Sequence, residues 1–160
     1  MRAVAFTGNS NSGKTTLIEK LSFLLQEKRV AIIKHDPKDK AEIDAKGKDS
    51  SRFFDSGADV AILGSSQTTL RFHKALNIES LKEQFKGYDY LFIEGLKELP
   101  LPRICVARNT FDERFLPFIQ AIALDSSIKK GVLMSHQLEL LNLNNPIEIL
   151  GWINSNIKDI

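Results

Sequence analysis

Gly8-Asn9-Ser10-Asn11-Ser12-Gly13-Lys14-Thr15 stands between the apolar run Ala3-Val4-Ala5-Phe6 and an amphipathic stretch that begins at Thr16-Leu17-Ile18, and this arrangement decides the fold. The eight residues match G-x-x-x-x-G-K-[ST] without a gap. A strand before the loop and a helix after it turn backbone N–H groups and the positive end of the helix toward phosphate oxygens. Gly8 and Gly13 permit backbone conformations that a side chain would obstruct, and Asn9, Ser10, Asn11 and Ser12 complete the cradle. Lys14 can place its ammonium between β- and γ-phosphates, the Thr15 hydroxyl can ligate Mg²⁺, and Thr16 sits where it could meet the α-phosphate. The alternative, a glycine turn that merely connects strand to helix, is set against the complete pattern and its flanks.

Further short apolar runs follow at Val30–Ile33, Val60–Leu63, Tyr90–Ile93, Ile104–Ala107 and Ile119–Leu124. Their continuity predicts strands buried on both faces, as in a parallel sheet covered by helices. Leu17, Ile18, Leu21, Leu24 and Leu25 recur at helical spacing opposite Glu19, Lys20, Gln26 and Glu27, which predicts one amphipathic helix. Others are expected from Gly47–Ser50 to Gly57, over Ile78–Phe85, and from Pro146 through Ile157. Strand alternating with helix gives an α/β fold of the P-loop NTPase type, a mainly parallel sheet flanked by helices, with ligands at the carboxyl ends of the strands. Thr68–Phe72 is a candidate added antiparallel strand after Val60–Leu63. Asp36–Arg52 reads as a long polar loop, either functional or merely solvated.

The chain has 160 residues, and domains most often run ~100–150 residues, so a single nucleotide-binding domain over residues 1–160 is expected. Lys and Arg total 22 against 20 acidic residues, a formal charge of +2 that argues against a broad nucleic-acid or membrane surface. The N-terminal apolar run is too short for a signal-peptide core, and no segment approaches the ~18 apolar residues of a membrane span, so a cytoplasmic location is expected. One cysteine, Cys105, lies in an apolar run and reads as a buried, inert thiol.

Asp89-Tyr90-Leu91-Phe92-Ile93-Glu94 reads as a buried strand with an acid at each end. Glu94, at the carboxyl end, would face the phosphate loop and hold Mg²⁺ through water or orient an attacking water, so Lys14 and Glu94 are the catalytic candidates. The alternative is a strand-end carboxylate capping nearby amides. Asp36, past the carboxyl end of Val30–Ile33, joins Thr15 and Glu94 as a metal candidate. His35, His73 and His136 show no metal-ligand spacing, and no zinc or nickel site is expected.

Gly8–Thr15, Ile33-Lys34-His35, Asp44 with Gly47-Lys48-Asp49-Ser50, Gly57-Ala58 and Ile93-Glu94-Gly95-Leu96-Lys97 together resemble the MobB family of molybdopterin-guanine dinucleotide biosynthesis adaptors, in order and spacing, to about Asp125. The resemblance implies GTP binding, weak GTPase activity, a homodimer, and assistance to a MobA-like guanylyltransferase that joins GMP to molybdopterin; with the Mg²⁺ read from Thr15 and Glu94, the expected cofactors are GTP and Mg²⁺. Its fold is that of the P-loop group that includes nickel-insertion GTPases and dethiobiotin synthetase. Lys48, Asp49 and Lys97 are further binding candidates, with Lys34, Lys48 and Lys97 offering charge to the pterin phosphate or the partner and Asp49 orienting one lysine. The chain departs from the family where Asp36-Pro37-Lys38-Asp39 replaces further histidines and where Lys46 replaces a proline. The Asn-Lys-x-Asp guanine signature is absent; Asp125 could accept from guanine or cap a strand end.

Two other readings compete. In a small-molecule kinase, Arg103, Arg108 and Arg114 would form a lid over the transferring phosphoryl group; as ordinary surface charges they would do nothing there. A metal-insertion GTPase is the third, weakened by the scarcity of His and Cys.

Overall fold

The structure is a computed structural model and describes residues 1–129 and 138–160; His136 lies outside the described residues. The backbone divides into two compact units, one of Met1–His35 with Phe85–Ile160 and one of Asp36–Gln84.

In the first unit six strands form one sheet: β1 (Arg2–Thr7), β2 (Val30–Lys34), β5 (Tyr90–Glu94), β6 (Arg103–Ala107), β7 (Ala121–Leu124) and β8 (Glu139–Asn142). Their order is β2-β5-β1-β6-β7-β8, and every pairing is parallel. The unbroken apolar runs became the central strands because both faces are covered. Val4, Phe6, Phe92, Ile104 and Val106 pack beneath two helices, α1 (Lys14–Leu24) and α4 (Pro146–Asn156), through Leu17, Ile18, Leu21, Ile149 and Ile153. Cys105, Ala107, Ile122 and Leu124 face Phe115 and Ile119 on the other side, where a short 3-10 helix spans Glu113–Phe118. At the edge, β2 alternates instead, with Ala31 and Ile33 inward and Ile32 and Lys34 outward. Leu24 departs from the expected inward stripe. Helix α1 ends there, and Leu25 at φ −112° is buried in its place.

The second unit holds α2 (Asp49–Asp55), the antiparallel hairpin β3 (Val60–Leu63) with β4 (Thr68–Arg71), and α3 (Ile78–Gln84). The added antiparallel strand is thus present, paired from Val60↔Arg71 to Leu63↔Thr68 and closed by Gly64 N to Gln67 O at 2.9 Å. One expectation is corrected. Val60–Leu63 is not a strand of the parallel sheet buried on both faces: Ala61, Ile62 and Leu63 are exposed. An apolar run reports hydrophobicity and leaves its cover unspecified. What binds this unit is polar and aromatic. The His73 ring stacks on Phe54 at 3.9 Å, the Arg71 guanidinium lies over Phe54 at 3.8 Å, and Arg71 pairs with Asp44 at 3.5 Å.

Candidate phosphate-binding site

The Gly8–Thr15 loop leaves β1 at its carboxyl end and opens α1. Three residues take left-handed or otherwise positive φ, Gly8 at 135°, Asn11 at 61° and Gly13 at 98°, the alternation that makes successive N–H groups converge into an anion-binding concavity. Gly8 has a second reason to be glycine. A Cβ there would lie 2.2 Å from the Val106 carbonyl oxygen, so the close approach it allows is to β6. Helix α1 begins with Gly13 as its N-cap and no side-chain cap, which leaves first-turn N–H groups to a ligand. The Ser12 hydroxyl is buried and has no hydrogen-bond partner among the described residues.

The loop, Thr15, Thr16, Glu94 and Arg108 line an open cleft of about 600 Å³. Lys14 folds back over the loop, donating to Gly8 O at 3.2 Å and Asn9 O at 2.7 Å. Burial lowers its pKa, an effect partly opposed by the nearby Glu94 carboxylate and reinforced by the charge of Lys97. The Thr15 hydroxyl lies 3.1 and 3.2 Å from the two Glu94 oxygens. The structure therefore brings Lys14, Thr15 and Glu94 together as the strand order requires, because β5 neighbours β1 and ends in Glu94. Asp89, at the opposite end, accepts from Arg29 N at 2.8 Å.

The three arginines separate. Arg103 is no lid residue and no surface charge. It is 1% exposed, and its guanidinium donates to the carbonyls of Gly95, Leu96 and Leu99, holding the chain between β5 and β6. Arg114 pairs with Asp112 at 2.6 Å, and these bonds pull the Asp112 carboxyl down to about 2. Arg108 remains at the cleft, its Nε 2.9 Å from Asp125. Asp125 caps its own turn through the backbone N–H and hydroxyl of Ser127. Lys97 sits over the Phe115 ring at 4.8 Å. In the second unit, Lys48 is the N-cap of α2, Asp49 lies 3.7 Å from Arg52 rather than beside a lysine, and Asp36 accepts from Lys38 N and Ala41 N. Sequence reasoning passed over Thr110, whose hydroxyl accepts from the Asn9 side chain at 3.1 Å across 101 residues; no local signal announces so distant a contact.

Oxygen ligands suit a hard cation, and Mg²⁺ takes one or two protein groups beside nucleotide phosphates. The Thr15 hydroxyl and Glu94 carboxylate supply that set, and the unpartnered Ser12 hydroxyl and uncapped helix start suit phosphate oxygens.

A family profile described as "MobB: Molybdopterin guanine dinucleotide synthesis protein B" matches residues 3–125. The chain belongs to the MobB family. A putative molybdopterin-guanine dinucleotide biosynthesis adapter protein of Methanocaldococcus jannaschii is 34% identical over 115 residues, 68% of this chain. The match spans only 48% of that relative's length. A molybdopterin-guanine dinucleotide biosynthesis adapter protein of Haemophilus influenzae is 31% identical over 94% of this chain and 86% of its own. The crystal structure of Bacillus subtilis MobB superposes with a TM-score of 0.78 at 25% identity, covering 100% of both chains. MobB membership thus agrees with the parallel P-loop sheet, and the family match ends at Asp125, where the resemblance by motif also ends.

Proposed function

We propose that this MobB-family chain binds GTP with Mg²⁺ at the Gly8–Thr15 loop and serves as an adaptor in molybdopterin-guanine dinucleotide formation, assisting a MobA-like guanylyltransferase. The observation that carries the nucleotide reading is the Thr15 hydroxyl set against Glu94 at the mouth of a cleft that also holds Lys14. The loop amides and the start of α1 orient the phosphates; Lys14 exchanges its two carbonyl acceptors for β- and γ-phosphate oxygens. Bound Mg²⁺ supplies neutralisation of phosphate charge. Thr15 and Glu94 hold the metal, and Glu94 also orients water for slow hydrolysis. The choice of guanine rests on the family, since no guanine signature is present.

The adaptor role rests on the names of the relatives. Lys97, beside Lys14 electrostatically, is assigned to the pterin phosphate or the partner enzyme; Lys48 and Asp49 take the same role, and Asp36, from its place just past the carboxyl end of β2, that of an outer metal ligand. A homodimer and a cytoplasmic location belong to the same reading. Exposed Leu63, Leu70 and Phe72 on and beside the hairpin offer apolar surface for a second copy. Among the described residues no helix is long and apolar enough to cross a membrane.

Calorimetric titration of GTP, ATP and their diphosphates with and without Mg²⁺ tests the nucleotide claim: GTP with Mg²⁺ should bind most tightly, and equal affinity for ATP would remove guanine specificity. For the adaptor claim, a Lys48→Ala, Lys97→Ala double variant should bind GTP nearly normally yet fail to stimulate partner-dependent dinucleotide formation, whereas full stimulation would sink that assignment.

A further inference from the structure

Glu94 and Arg108 lie on opposite flanks of the phosphate loop. Glu94 ends β5 and Arg108 follows β6, and β5 and β6 border β1 on its two sides. The metal-holding pair, Thr15 with Glu94, therefore marks the β5 flank as the end where β- and γ-phosphates sit. A nucleotide whose phosphates begin there continues across the start of α1 toward β6, and Arg108, which follows β6, lines the same cleft.

Arg108 is held in an unusual way for an exposed arginine. Its Nε donates to Asp125 at 2.9 Å, and that carboxylate is itself fixed by the Ser127 backbone N–H and hydroxyl. The loop that carries Arg108 is tied down twice more, by Asn109 N to the Ser127 hydroxyl at 2.7 Å and by the Asn9 side chain to the Thr110 hydroxyl. Among the described residues, Nη1 and Nη2 make no hydrogen bond, so the terminal edge of the fork is left over. The guanidinium lies beside the loop: a Cβ built on Gly13 would be in van der Waals contact with it, 3.9 Å from Cζ and 3.9 Å from Nη2 of Arg108. An exposed ion pair made for stability alone contributes little, whereas a guanidinium fixed through Nε presents two parallel N–H donors matched to phosphate oxygens.

We propose that Arg108 is the ligand of the α-phosphate of the bound guanine nucleotide, positioned by Asp125 so that its Nη edge meets the phosphate above Gly13. The inference rests on the nucleotide reading above. It assigns Asp125 to positioning Arg108, because both carboxylate oxygens are already engaged by Arg108 and Ser127, and it removes Arg108 from a role in neutralising charge on a departing γ-phosphate.

The two ends of the nucleotide give different signatures. Arg108→Ala and the length-preserving Arg108→Gln should each weaken GTP and GDP by one common factor, roughly ten- to a hundredfold. For GDP the loss should be the same in Mg²⁺ and in EDTA. Arg108→Lys should lie between, keeping the charge without the fork. Asp125→Asn should give a smaller loss of the same pattern and leave the ratio of GTP to ATP affinity unchanged. Calorimetry reads these affinities, and circular dichroism establishes that each variant is folded; Arg108→Gln decides the matter if Arg108→Ala is not. Unchanged GDP affinity, or a loss confined to GTP, would overturn the proposal, and a changed GTP to ATP ratio in Asp125→Asn would return that carboxylate to base recognition. If Lys14→Ala weakens nucleotide binding and the Arg108 variants leave it unchanged, the proposal falls alone. If the wild-type chain binds no guanine nucleotide, both readings fall.

Discussion

The Thr15 hydroxyl reaches the Glu94 carboxylate across 79 residues, at 3.1 and 3.2 Å from its two oxygens. The contact exists because β5 inserts beside β1 and ends level with the first turn of α1. Both groups are oxygen donors for a divalent cation. Thr15→Val and Glu94→Gln should therefore each weaken Mg²⁺-dependent GTP binding by about 1.5–3 kcal/mol and change binding in EDTA little. Equal losses with and without the metal, read by calorimetry, would contradict the assignment.

Lys14 should behave as a phosphate ligand rather than a structural one. Lys14→Ala should lose ~2–4 kcal/mol of triphosphate affinity while the fold persists, since the charge-assisted bonds lost are to the ligand. Burial lowers the pKa of this ammonium from the usual 10.5. The charge is complete well below the lowered pKa, so binding should be full at neutral pH. It should begin to fall at a less alkaline pH than an exposed lysine would give. Titrations of wild type and Lys14→Arg across alkaline pH check the direction, and coincident profiles would remove burial as the cause.

Arg103 predicts a stability defect. Its replacement by Leu would leave the Gly95, Leu96 and Leu99 carbonyls without their donor in a place where the side chain was 1% exposed. A loss of about 3 kcal/mol or more in urea unfolding is expected. Arg103→Lys should recover only part, since one ammonium cannot reproduce the spread of the guanidinium nitrogens.

Cys105, 1% exposed on the sheet face toward Phe115, has its thiol pushed up to about 12 by burial. The ordinary value is 9.0, so the folded state favours the protonated form. That contribution to stability is complete below pH 9.0 and is lost as pH rises toward about 12. At pH 8 an aromatic disulfide reagent should leave the native thiol unmodified and titrate it fully in urea.

The loop, the flanking strand and helix, and the pairing of Glu94 with the loop were legible because a short motif fixes local geometry and the strand order of an α/β sheet follows from connection rules. Pro146 announced α4 because its missing N–H is tolerated in the first turn of a helix. Glu139–Asn142 gave no comparable sign. A four-residue edge strand with polar ends carries too little periodicity to stand out. Arg103 was misread because charge at a strand's start says nothing of the carbonyls a later loop will present to it.

The second unit has Ser51 as its one buried residue among Asp36–Gln84, and aromatic stacking and ion pairs stand where a core would be. Its backbone amides should accordingly exchange with solvent through small local openings, whereas those of β1, β5 and β6 await global unfolding. The single tryptophan, Trp152, packs against the core of the first unit. A fluorescence melt would therefore follow that unit alone, and a two-state free energy extracted from it would describe the sheet, silent about a hairpin that had already frayed.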